Sequence, residues 1–271
     1  MAGDLREVPT VSRAAAFFEL DHVMIAGSAA YFMSRDVRQH DVFRMRDLAR
    51  AALRRSKTRL AQESQRDLRG MREDLLDAVR GREQSEVQDW GRQLATYEIL
   101  PRVYPDIERL IAAHHAAGDC TYLVTSAPTE LATALARALD MDGALGTVAA
   151  IDADGRYTGG RVGPLLQGDA KRRAIAELAD REGHDLRRCH VYANAVEDKD
   201  LLKSVGFAHA VNPDPGLLRT AVRRGWAVHE MRPVRRKLLV GTPPAVPVGA
   251  VVGVGFLLGR LGRNAWRDRS S

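Results

Sequence analysis

The sequence has few cysteines and no apolar leader at its start. Its two cysteines, Cys120 and Cys189, lack the spacing of metal-ligand pairs, and both lie beside apolar runs. Two such residues exclude a disulfide-stapled framework and favour buried free thiols in a reducing compartment. The first thirteen residues are charged and contain no apolar run typical of a secretory signal. We therefore expect a cytoplasmic protein.

Positive charge exceeds negative charge, and the excess is concentrated towards the C-terminus. The formal net charge is +6, and the stretch 219–237 holds seven Arg or Lys residues against one acid, Glu230. A basic cluster favours contact with an anionic membrane surface or with nucleic acid. No nucleic-acid-reading motif accompanies the cluster, so we expect no nucleic-acid partner.

An uncharged segment follows the basic cluster. Residues 238–259 carry no charged side chain, which is close to the roughly 20 residues of a membrane span. Three prolines interrupt the first third of the segment, and glycines four residues apart have the small-xxx-small spacing of packed membrane helices. We expect residues 233–271 to form a basic, hydrophobic tail with a membrane segment at 246–261. The tail would attach the protein to the inner face of the membrane, or alternatively dock on the domain or on a partner.

Short apolar runs alternate with helical patterns. The predicted strands are Ala14–Phe18, Thr121–Thr125, Val191–Ala193 and Ala208–Asn212. Helical spacing of apolar residues follows at Pro128–Leu139 and at Ala170–Ala179. Residues 151–161 contain an Asp-Gly turn between two β-compatible pieces and predict a hairpin. The alternation predicts an α/β fold, a parallel sheet covered by helices on both faces.

A long helical stretch separates the first predicted strand from the second. Residues 29–95 are charged, rich in helix formers and poor in glycine and proline, and they are too long for a simple crossover. We interpret them as an inserted helical cap over the carboxyl edge of the sheet, where open parallel sheets bind ligands. The core would then comprise residues 1–28 and 96–232.

Two acids follow the first strand in "FFELDHVMIAGS", namely Glu19 and Asp21. Three further stretches follow in order: "YLVTSAPTELATALARAL", "GDAKRRAIAEL" and "HVYANAVEDKDLLKSVGFAHAVNPDPGLL". Together they resemble the haloacid dehalogenase superfamily of phosphatases, in the phosphoserine-phosphatase-like subfamily IB. The resemblance implies a three-layer Rossmann-like sheet with an inserted cap. It also implies a small phosphorylated ligand.

The resemblance assigns a role to each matching position. Glu19 occupies the position of the nucleophile, where the family has Asp, and Asp21 occupies the acid/base position. Thr125 and Lys171 occupy the phosphate-binding positions, with Ser126 as the alternative hydroxyl if the alignment is shifted by one residue. The implied Mg²⁺ ligands are Glu19, Asp21, Asn194 and Asp198, with Glu197 and Asp200 close by. The histidines have no metal-ligand spacing by sequence: His22, His114, His115, His190 and His209.

Three positions depart from the family pattern. Glu19 adds one methylene to the nucleophile and displaces its oxygen by about 1 Å, which can cost about 10²-fold in rate. Val23 replaces a usual Thr, and Asn194 replaces a usual Asp and removes a negative charge from the metal site. We therefore expect an impaired or inactive phosphomonoesterase that retains a phosphate pocket. The alternatives are an active Mg²⁺-dependent phosphomonoesterase and a membrane-tethered interaction scaffold.

Overall fold

The computed structural model describes residues 13–39 and 75–231. Its eight strands, in chain order, are β1 Ala15–Glu19, β2 Cys120–Pro128, β3 Gly143–Thr147, β4 Ala149–Ile151, β5 Tyr157–Arg161, β6 His190–Ala193, β7 Phe207–Val211 and β8 Ala227–His229. Six of them form one parallel sheet in the order β3–β2–β1–β6–β7–β8. Strand order reverses at β1, and such a switch point opens a crevice at the carboxyl edge of the sheet.

The helices cover both faces of this sheet. In chain order they are α1 Ala29–Gln39, α2 Gln84–Gln93, α3 Pro105–Ala117, α4 Thr129–Ala138, α5 Gly168–Glu182, α6 Lys199–Lys203 and α7 Pro215–Arg224. A π-helical segment, Leu94–Ile99, and a short 3₁₀ turn, Leu100–Arg102, continue the chain after α2. Two further 3₁₀ turns are Leu186–Arg188 and Val196–Asp198.

Alternating side chains of β1 divide the core into two apolar layers. Ala16 and Phe18 belong to the cluster that contains the buried residues of α2, α3 and α4. Ala15 and Phe17 belong to the cluster that contains those of α5, α6 and α7. A strand that is buried on both faces has this continuous apolar character. The predicted three-layer α/β fold is therefore confirmed.

The predicted hairpin at residues 151–161 is also present. β4 pairs with β5 in antiparallel register. Asp152 Oδ1 accepts hydrogen bonds from the amides of Asp154 and Arg156 at 3.0 and 2.9 Å, and Gly155 adopts a φ of 76°. The second strand of the hairpin, β5, contacts the segment before α2, because the Gly81 amide donates to the Tyr157 carbonyl at 2.7 Å.

Both ends of the predicted cap lie within the described residues. α1 and α2 are helical, and Met33, Leu75, Leu76 and Trp90 pack in the apolar cluster that includes Phe18. Residues 40–74 lie outside the described residues, and the boundary of the cap at 29–95 stays a prediction.

The predicted tail, 233–271, and its segment 246–261 also lie outside the described residues. Across residues 13–39 and 75–231, none of the helices has the length and apolar character that a membrane crossing requires.

Candidate functional site

Polar residues gather at the carboxyl edge of the sheet, where β1, β2 and β6 end. Glu19 is the last residue of β1, and it is paired in register with Val124 of β2. Thr125 and Ser126 follow Val124, and Asn194 directly follows β6. Parallel register places the ends of neighbouring strands side by side. The fold therefore brings together residues that lie more than a hundred positions apart in the chain.

The loop after β1 holds Asp21 against the start of α1. The loop closes on itself through a hydrogen bond from the His22 amide to the Gly27 carbonyl at 3.1 Å, and Gly27 adopts a φ of 102°. The Ala29 amide donates to Asp21 Oδ1 at 2.7 Å, and Ser28 Oγ donates to Oδ2 at 3.3 Å. The first amides of a helix have no partner within the helix. Asp21 is thus oriented by a helix end.

A buried lysine joins two carboxylates at the same edge. Lys171, in the first turn of α5, donates through Nζ to Glu19 Oε2 and to Asp198 Oδ2, the latter at 2.9 Å. The side chains of Lys171, Glu19 and Asp198 are only 5%, 12% and 4% exposed. We call these three residues the lysine triad. Because charges buried to this degree must be compensated, the triad is an interdependent unit.

The triad perturbs the ionisation of its members. Burial raises the pKa of Glu19, and the neighbouring Asp198 raises it further, while the Lys171 ammonium acts in the opposite direction. Burial opposes the positive charge of Lys171, but the two carboxylates outweigh that cost and raise its pKa. Lys171 is therefore a cation at neutral pH. A fixed buried cation at this edge is suited to bind an anionic oxygen.

The two candidate hydroxyls differ in their surroundings. Thr125 is fully buried, and its Oγ1 accepts a hydrogen bond from the Ala127 amide at 3.1 Å. Ser126 lines a small cleft together with Asp21 and with the apolar cap residues Met33 and Leu76. The structure therefore places the alternative hydroxyl, Ser126, in the same cleft as the acid/base candidate.

The two remaining departures from the family pattern also have defined positions. Val23 is fully buried within the apolar cluster that contains Phe18. Asn194 accepts a hydrogen bond from the Asp214 amide through its backbone carbonyl at 2.9 Å. Asp214 in turn caps α7 by accepting from the Leu217 amide at 2.7 Å, and it accepts from the Val196 amide at 2.7 Å. Asp214 thereby anchors the loop that carries Asn194 and Asp198.

Sequence reasoning assigned no role to three residues that shape the site. Ser28 and the Ala29 amide hold Asp21, and Asp214 holds the loop that carries Asn194 and Asp198. The signal for Asp214 was present, since an acid before Pro215 is typical of a helix N-cap. Ser28 offered a similar signal, since serine before a helix is a preferred N-cap, but its contact with Asp21 depends on how the loop after β1 folds back.

Comparisons with known proteins find relatives of this chain. The model of the haloacid dehalogenase-like hydrolase family matches residues 16–203. The chain is 35% identical over 253 residues to a Mycobacterium tuberculosis protein named phosphoserine phosphatase SerB1, covering 93% of this chain and 82% of that protein. It is 32% identical over 250 residues to the Streptomyces azureus "inhibition of morphological differentiation protein", covering 91% and 90% of the two chains.

A solved structure shares the fold. It is a Bordetella pertussis Tohama I protein, described as having unknown function, that superposes with a TM-score of 0.64 and 26% sequence identity. The match covers 80% of this chain and 98% of the Bordetella chain. The similarity thus extends over most of both chains.

Proposed function

Because this chain belongs to the haloacid dehalogenase-like hydrolases, we propose that it binds a small phosphorylated ligand at the carboxyl edge of its sheet and hydrolyses it only slowly. The observation that carries the proposal is the lysine triad. Lys171 is retained, buried and charged, which favours binding of a phosphoryl oxygen. Its partner Glu19 stands where the attacking carboxylate belongs, yet Glu19 is engaged by Lys171.

The reaction would use two acids in separate roles. A Glu19 oxygen would attack phosphorus and break the bond to the alcohol oxygen, while Asp21 would give that oxygen a proton. Asp21 would then take a proton from the water that cleaves the acyl-phosphate. Asp21 is positioned for this role by its contacts with Ser28 and the Ala29 amide. The second acid is thus better preserved than the first.

The extra methylene of Glu19 is the main reason for slow turnover. Attack on phosphorus requires near-ideal placement, and a misplacement of about 1 Å can cost about 10²-fold in rate. Against a typical turnover number of about 10 s⁻¹, we expect at most about 0.1 s⁻¹.

By its chemistry, the donor set at this edge would suit a magnesium ion. Glu19, Asp21, Asn194 and Asp198 offer carboxylate and amide oxygens, the hard ligands that Mg²⁺ prefers. When bound, Mg²⁺ would neutralise charge on the phosphoryl group and on the carboxylates. Asn194 supplies a neutral oxygen where the family has a charged one, so we expect weaker metal binding than with an aspartate.

Turnover of p-nitrophenyl phosphate with Mg²⁺ tests the proposal. The purified full chain should release p-nitrophenol slowly, and Asp21→Asn should abolish that release. Glu177→Asp is a matched control, because Glu177 is an exposed glutamate on the helix that carries Lys171. It should leave the rate unchanged.

This assay and a binding measurement together distinguish the proposal from its two alternatives. A rate of about 1 s⁻¹ or more that Asp21→Asn abolishes would establish an active phosphomonoesterase and overturn the claim of impairment. Isothermal titration with inorganic phosphate and Mg²⁺ addresses the scaffold alternative. If inorganic phosphate does not bind the wild-type chain, the case for a retained pocket is removed. Loss of binding in a Lys171→Met variant that circular dichroism shows to be folded supports the pocket.

A further inference from the structure

A second group of ligating side chains lies at the amino edge of the sheet, at the opposite end of the strands from Glu19. His114 is in the last turn of α3, Asp119 is in the turn between α3 and β2, and His190 is the first residue of β6. His114 is buried, and the other two are half-buried. Since each strand residue advances about 3.3 Å, this group is separated from the lysine triad by roughly the length of β6.

The three side chains are close enough to share one ion. One ligand atom from each residue lies within 4.8 Å of the ligand atoms of the other two. His114 Nδ1 donates to Asp119 Oδ2 at 2.9 Å, and the His114 and His190 ring centroids are 4.7 Å apart. Ligand bonds of about 2.1 Å in a tetrahedral site require donor atoms about 3.4 Å apart. A pair of donor atoms at the 4.8 Å limit would have to approach by about 1.4 Å.

An outer layer of hydrogen bonds orients both imidazoles. His114 Nε2 lies 2.9 Å from the Tyr192 hydroxyl, and His190 Nδ1 lies 3.0 Å from His209 Nε2. His209 Nδ1 lies in turn 3.0 Å from His229 Nε2. Histidines that bind metal ions in proteins are held in this way, with one ring nitrogen on the metal and the other on a polar partner. The ladder of rings across β6, β7 and β8 supplies such partners.

We propose that His114, Asp119 and His190 bind a divalent transition-metal ion, with Zn²⁺ as the preferred ion and water as the fourth ligand. Two imidazoles and one carboxylate suit Zn²⁺, whereas Mg²⁺ prefers a set made of oxygens alone. The ion would tie the α3–β2 turn to β6, and thereby join the two halves of the sheet on either side of β1. This site is independent of the phosphatase site.

The sequence gives no sign of this site, because its ligands come from three separate elements. His114 and His190 lie 76 positions apart, and neither belongs to a recognised ligand motif. Only the parallel packing of β6 beside β1, with α3 above them, brings the side chains together. The sequence predicted no metal site among the histidines, and the proposed site differs from that prediction.

Cobalt substitution tests the proposal directly. The metal-stripped full chain, without an affinity tag, is titrated with Co²⁺, and the visible ligand-field bands of four-coordinate Co²⁺ are recorded. We expect one equivalent of Co²⁺ to produce these bands and one equivalent of Zn²⁺ to remove them. Asp119→Asn and His190→Gln should weaken binding at least tenfold. His209→Phe, which removes an outer-layer partner, should weaken it by about 10- to 100-fold.

Two controls separate this site from other sources of signal. His115→Ala removes a neighbouring histidine that bonds to Thr121 instead, and it should leave the bands unchanged. Asp21→Asn alters the phosphatase site, and it should also leave them unchanged. Circular dichroism verifies that each variant is folded. The proposal is overturned if the wild-type chain gives no stoichiometric bands, or if Asp119→Asn and His190→Gln bind Co²⁺ as the wild type does.

Discussion

Replacing Lys171 by methionine removes the cation of the lysine triad while nearly preserving side-chain volume. The substitution leaves Glu19 and Asp198 side by side, and their side chains are only 12% and 4% exposed. Two buried carboxylates without a counter-charge repel each other and remain poorly solvated. We therefore expect Lys171→Met to be one of the most destabilising single substitutions at this edge of the sheet.

The expected magnitude follows from the burial of the triad. Breaking a buried ion pair by removing one partner costs about 3–5 kcal/mol, and Lys171 serves two carboxylates, one of them at 2.9 Å. The free energy of unfolding of a domain of this size falls by about 2–3 kcal/mol per molar urea. The urea concentration at the unfolding midpoint should therefore fall by roughly 1–2 M.

Urea unfolding followed by circular dichroism measures this shift. Lys203→Met is the matched control, because Lys203 pairs with Asp200 at 2.7 Å in an exposed bridge whose side chains are 37% and 63% accessible. Exposed bridges contribute about 0–1 kcal/mol, so the control midpoint should move little. The double variant Lys171→Met/Glu19→Gln removes one of the stranded charges and should recover part of the loss. Equal midpoints for Lys171→Met and Lys203→Met would refute the reasoning.

Three further predictions concern other parts of the chain. Gly206→Ala should destabilise the fold by about 3 kcal/mol in urea unfolding, because an added Cβ collides with the Arg187 carbonyl; a loss below about 0.5 kcal/mol would contradict this. Ellman's reagent should modify the half-buried Cys120 well before Cys189, which is fully buried and whose thiol pKa is raised by burial; equal rates would show that Cys189 is accessible. Deletion of residues 238–271 should move the protein from the membrane fraction to the supernatant, and full-length protein that already partitions into the supernatant would refute membrane attachment.

The central strands were predictable because burial on both faces requires continuous apolar runs. β1 and β6 each lie within one residue of their predicted bounds, and β7 does as well. β2 extends three residues beyond its predicted end, since its last residue, Pro128, pairs with Thr147 of β3. The edge strands β3 and β8 were not predicted. β3 contains two glycines and β8 has three residues, so neither carries an apolar pattern.

The members of the candidate site were predictable only through resemblance to a family. Glu19, Lys171 and Asp198 fell on motif positions, but their direct contact spans 152 positions between Glu19 and Lys171, and no local pattern encodes it. The hydrogen bond from Ser28 to Asp21 depends on a loop conformation that includes a positive φ at His22. Such contacts arise from packing of distant elements, and the sequence encodes them only through the complete fold.

The most direct test is to restore aspartate at positions 19 and 194, the two positions where the family pattern has Asp, and to measure whether activity rises. The double variant Glu19→Asp/Asn194→Asp shortens the proposed nucleophile and returns a negative charge to the proposed magnesium site. Phosphate release from p-nitrophenyl phosphate at saturating Mg²⁺ gives kcat/KM for this variant and for the wild type. We predict a rise of roughly 10²-fold or more, the penalty attributed to a misplaced nucleophile. An unchanged or lower kcat/KM in a folded double variant would contradict the claim that Glu19 and Asn194 limit this site.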